Sequence, residues 1–169
     1  MFRLILYPGV IMHELSHYFA CIMLGVKVKG FSLGLKESYV KHENASTIKI
    51  VLIAIAPLII GLLLSIALIK FTIMDLRREL LLFIIVNWLI ISIVYYSIPS
   101  SQDTKNIKTS LGNYLTKLFK GNILDKMWGA VYFIIVIIPN YFLLELISLL
   151  DKYEIFRIIL LAVMYICLV

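Results

Sequence analysis

Long apolar runs alternate with short polar stretches along this chain, and the run lengths carry its first message. Residues 4–25, 50–69, 80–98 and 127–150 each come close to the ~20 residues that cross a ~30 Å hydrocarbon core. The second and third hold no charge, the fourth holds only Glu145, and the first is interrupted by His13, Glu14 and His17. A fifth run, 155–169, is shorter and contains Arg157. It fits a short or tilted span with the arginine at the headgroups, or an interfacial helix. Between the first two runs, residues 26–42 switch to an apolar–polar alternation (Val26, Lys27, Val28, Lys29) with Gly30 and Gly34, which predicts one or two short strands. After the third run Pro99 breaks the helix. Ile107, Leu111, Tyr114, Leu115 and Leu118 then recur at helical spacing among lysines, predicting an amphipathic helix over about 104–120 at the membrane surface. The pattern therefore predicts an all-α membrane protein, a polytopic bundle of four to five transmembrane helices with a short β-hairpin after the first. Residues 1–169 form one integral membrane domain, with C-terminal helices over 127–169.

Composition removes the main rival. Of 169 residues 62% are hydrophobic, and mean hydropathy is +1.01, whereas soluble domains hold about 45–50% apolar residues. The N-terminal run lacks a small-residue cleavage site and is not read as a removable signal. Cys21 and Cys167 lie in separate apolar runs and form no CxxC pair, so neither a disulfide framework nor a thiolate metal site is expected, and Cys21 reads as a small core residue. The net charge of +6 calls for no nucleic acid, since lysine-rich loops against anionic lipid account for it. Ten lysines (27, 29, 36, 41, 49, 105, 108, 117, 120 and 126) fall on one side of the spans. Five basic residues (Arg3, Lys70, Arg77, Arg78 and Lys152) fall on the other. The positive-inside rule then puts the N-terminus outside and the lysine-rich side in the cytoplasm.

Pro8 can open the first helix, and Gly25 can stop it. Inside that helix stands "MHELSH". Charge at this depth costs at least ~2.5 kcal/mol and therefore needs a reason. H-E-x-x-H places two imidazoles one turn apart on one helix face, within reach of one zinc ion, while Glu14 points about 100° away and can take a proton from the water such a metal activates. Three polar partners within the bundle would be the bland explanation, and the cost of burying this group favours the metal.

From these residues onward the sequence resembles the site-2 protease family, the intramembrane zinc metalloproteases. "PGVIMHELSH", the strand-like stretch after it, "APLIIG" and "PSSQD" occur in the order seen in the family's small, compact members, and the likeness covers about residues 8–103. It implies a three-helix catalytic core over 8–103 with its active site toward the cytoplasmic side. It also implies zinc held by His13, His17 and an aspartate of the third core helix, matched here by Asp103. The substrates implied are transmembrane or membrane-proximal protein segments.

The residues themselves leave the third ligand open. A catalytic zinc takes three protein ligands and keeps one position open. Ser100 followed by Asp103 also reads as a capping box, and His42 is the other candidate ligand. Depth is a further difficulty. Counted from Leu80, Asp103 lies ~35 Å along a regular helix, while His17 counted from Phe2 lies only ~22 Å in. The core helices must be staggered, or the chain must fold back near Pro99. Two other classes of function stand beside the protease: a non-proteolytic membrane zinc-binding protein or regulator that keeps the site, and a transport component using the His/Glu group as an ion path. The compact spacing argues against the last.

Overall fold

The computed structural model describes residues 2–75 and 79–152, with 158, 159, 162, 163 and 166 beyond them. A single turn, α1 (Phe2–Ile5), leads into α2 (Tyr7–Met23) with Pro8 in its opening turn. Gly25, at φ +63°, ends it. Val26 N–H reaches Cys21 O at 2.8 Å and Gly25 N–H reaches Ile22 O at 3.0 Å, the paired bonds of a Schellman stop. Val26 folds back onto Cys21 and Ile53 in one buried cluster, the core role expected of that cysteine.

The chain then reverses. β1 (Val28–Leu33) and β2 (Ser38–His42) pair antiparallel, with a bulge between Val28 and Gly30. This hairpin runs back along α2 rather than away from it. Tyr7 Oη donates to Leu33 O, Arg3 Nη1 to Lys36 O at 2.8 Å, and Arg3 Nη2 to Ser38 Oγ at 3.1 Å. The turn therefore lies beside the start of α2, and Lys36 shares an end of the molecule with Arg3. At ~3.3 Å per residue, a strand of this length covers most of a 17-residue helix.

Next come α3 (Thr47–Asp75), α4 (Leu80–Ser97) and α5 (Ser101–Phe119). The last run is α6 (Ile123–Tyr132), a π-helical turn over Phe133–Ile137 just before Pro139, and α7 (Ile138–Lys152). Three helical runs among the described residues are long and apolar enough to cross a membrane: Thr47–Thr72, Leu80–Phe119 and Ile123–Leu149. The other expected span is α2, whose 17 residues make ~26 Å and which packs against α3 and α4. The expected fifth segment lies mostly outside the described residues, as do Arg77, Arg78 and Cys167.

Lipid removes the hydrophobic reason for helices to associate, so close approach and buried hydrogen bonds must do it. α2 and α4 use both. They run parallel at a constant offset of 83 residues: Trp88 Nε1 donates to Ile5 O at 3.0 Å, Gly9 N–H to Ser92 Oγ at 2.7 Å, and His13 Nδ1 meets Tyr96 O at 2.7 Å. Gly9 permits this spacing, because a Cβ there would lie 2.5 Å from the Ser92 carbonyl carbon and 2.8 Å from its Oγ. The same stagger resolves the depth problem. It sets His17 level with Ser100, where the chain turns extended at Ile98 and restarts as α5 with Asp103 in the first turn.

α5 is amphipathic, as its pattern predicts, and its apolar side is covered by protein. Ile107 and Leu111 join Ala54 of α3 with Ile137 and Leu144 in one buried cluster. Lys108 pairs with Glu145, so the one charge of the fourth apolar run has a partner away from the histidines.

Candidate metal centre

His13 and His17 stand one turn apart on α2, and each ring is aimed by a backbone carbonyl that a proline or a helix end has released. His17 Nδ1 lies 2.8 Å from Ile53 O. An uninterrupted α3 would give that oxygen the N–H of residue 57, but residue 57 is proline. His13 Nδ1 lies 2.7 Å from Tyr96 O. A continuing α4 would bring Ser100 N–H there, and that N–H instead donates to Asp103 Oδ2 at 2.8 Å.

Carbonyl oxygens only accept, so both Nδ1 atoms carry a proton, and in its neutral form each ring turns a lone pair outward from Nε2. The two Nε2 atoms are 3.2 Å apart. Asp103 faces them, with Oδ1 3.3 Å from His17 Nε2 and Oδ2 3.5 Å from His13 Nε2. Electron-rich atoms thus converge on one point. Charge-assisted hydrogen bonds would close to ~2.7–2.9 Å, shorter than any of these separations. Ligands ~2.0–2.1 Å from a tetrahedral zinc stand ~3.3–3.4 Å from one another; the Nε2–Nε2 and His17–Oδ1 separations approach that, and one atom from each of the three residues lies within 4.8 Å of the others. The donor set of two imidazoles and a carboxylate fits zinc, and each Nδ1–H bond is the outer support such a ligand needs.

Asp103 caps α5 and also faces the two histidines. Its N–H donates to Ser100 Oγ at 3.2 Å, and its Oδ2 accepts from Ser100 Oγ at 2.7 Å. The capping box holds the carboxylate so that Oδ1 is left for His17. Among the described residues, His13, His17 and Asp103 are the cluster able to share a cation. His42 is not in it. Its ring borders the same cavity, but its Nδ1 turns to Glu43 O at 2.8 Å. Asn87 turns its amide to Phe83 O within its own helix, at 2.7 Å.

Glu14 and the three clustered residues line one cavity of about 140 Å³. Its other walls come from Ile50, Ile53 and Ala54 of α3, the start of α5 at Gln102 and Asn106, and β2. Ser38, Tyr39 and Val40 all border it. Neighbouring strand side chains point to opposite faces, so three consecutive lining residues mean that the strand's edge meets the cavity. β1 occupies the opposite edge of β2.

No known protein family, characterised protein or solved structure matches this chain. Sequence reading missed the carbonyls of Ile53 and Tyr96, and Gln102 and Asn106. The first was there to be found, four residues before Pro57. The others depend on which elements lie side by side.

Proposed function

We propose that the chain is an intramembrane zinc metalloprotease, with His13, His17 and Asp103 as metal ligands and Glu14 as general base. The observation that carries this reading is the convergence of two imidazole nitrogens and a carboxylate within 4.8 Å of one another, with a second carboxylate on the same cavity. When bound, zinc supplies an activated water and polarises the scissile carbonyl. Glu14 takes the proton as the water attacks and returns it to the leaving amine. Ile53 O and Tyr96 O keep the rings from turning, and Ser100 does the same for Asp103. Substrates are transmembrane or membrane-proximal protein segments, unwound so that a peptide bond is exposed. The edge of β2 receives them by strand addition.

The active site lies toward the cytoplasmic side in this reading. Moving Lys36 to Arg3's end changes the charge balance from ten against five to nine against six, which keeps its sign.

The test pairs metal analysis with turnover in purified protein. Wild type is expected to hold one zinc and to cleave a transmembrane peptide. Glu14→Gln should keep the zinc and lose cleavage, while His13→Ala and His17→Ala should lose both. Zinc at full occupancy with no cleavage of any membrane peptide would favour the non-proteolytic zinc protein. Metal-free wild type would remove both readings.

A further inference from the structure

Two primary amides stand on the cavity wall formed by the start of α5. Gln102 and Asn106 are exposed, one turn apart, and both border the cavity. Gln102 Nε2 donates to Asn106 Oδ1 at 3.0 Å. That bond uses one hydrogen and one lone pair, leaving an acceptor on Gln102 and two hydrogens on Asn106. Neither residue belongs to the metal cluster, and the capping box that starts α5 is made by Ser100 and Asp103.

We propose that Gln102 and Asn106 are positioning residues which grip the main chain of an extended peptide between α5 and the unpaired edge of β2. The proposal rests on the peptidase reading and names the feature its substrate is chosen by. The hairpin packs on α2, so a slot remains between β2 and α5, with the histidines and Asp103 along it. Spacing fits as well. Residues four apart on a helix are separated by ~6 Å along its axis, and like-oriented main-chain groups on an extended chain repeat every ~6.6–6.8 Å, a difference the longer glutamine spans. An amide pair offers donor and acceptor together, which every peptide unit matches and no particular side chain does. The substrate class is therefore a segment selected for an exposed, unwound backbone rather than for a charged or bulky residue.

The experiment uses full-length, zinc-loaded Glu14→Gln protein in detergent, with a fluorescein-labelled decapeptide of alanine, serine and valine as probe, read by anisotropy. Binding is expected. Gln102→Ala and Asn106→Ala should each weaken it about fivefold and together about 20-fold. Asn106→Gln should recover most of the loss, with zinc content unchanged throughout. The same peptide methylated on its backbone nitrogens should bind weakly to the Glu14→Gln protein and lose nothing further when both amides are removed. Equal affinity with and without the two amides, or no binding at all, overturns the proposal. Turnover by protein with native Glu14 is read separately. Amide-dependent binding without turnover overturns the peptidase reading and leaves the grip standing.

Discussion

Ser100→Ala would remove the hydroxyl that both receives Asp103 N–H and donates to its carboxylate. Loss of such a cap costs about 1 kcal/mol, seen as a lower denaturation midpoint. Because the same bonds aim the carboxylate proposed as a zinc ligand, zinc affinity should also fall ~10–100-fold in a competition titration with a chelator. Asp103→Asn separates the two roles. Asparagine keeps a side-chain acceptor for the cap but brings no charge to the cation, so metal affinity should fall with little change in the start of α5. At this scale the two histidines and Glu14 were legible because their spacing is local. Asp103 was legible as a cap for the same reason. Its place beside His17 was expected only through the family resemblance, because it depends on the 83-residue stagger, which no short window of sequence contains.

A proline in the middle of a helix normally reads as a kink. In α3 its further effect is to leave Ile53 O for His17. Pro57→Ala would restore an N–H to that carbonyl and set helix against imidazole for the same acceptor. The expected result is a helix at least as stable as before and zinc bound ~10–100-fold more weakly, measured on one preparation by thermal melting and chelator competition. Gly9→Ala tests the helix pair. Its methyl group would meet the Ser92 backbone, which cannot rotate aside, so α2 and α4 must separate at a cost of ~1–3 kcal/mol. The Gly9–Ser92 bond and the His13–Tyr96 contact should loosen together, giving a lower melting temperature and partial zinc loss. The apolar runs, the alternation after Gly25 and the break at Pro99 each gave their elements from sequence. The direction of the hairpin was hidden, since it is set by Arg3 and Tyr7, some 30 residues away.

Over the whole molecule, the hairpin is held at its turn by side chains from the first two helices and along its length by α2. Arg3→Ala combined with Tyr7→Phe should free the turn without touching the metal cluster. Amide exchange at residues 33–38 is expected to rise while zinc content stays constant, and unchanged protection would show that α2 alone secures the hairpin. The stagger of α2 and α4 bears on how the protein matures. His13 and His17 leave the ribosome before the carboxylate that faces them, which follows more than eighty residues later, after α3 and α4 have been made. A nascent chain arrested before Pro99 carries two imidazoles without Asp103, so the three-residue cluster is assembled only once α2, α3 and α4 have all been made.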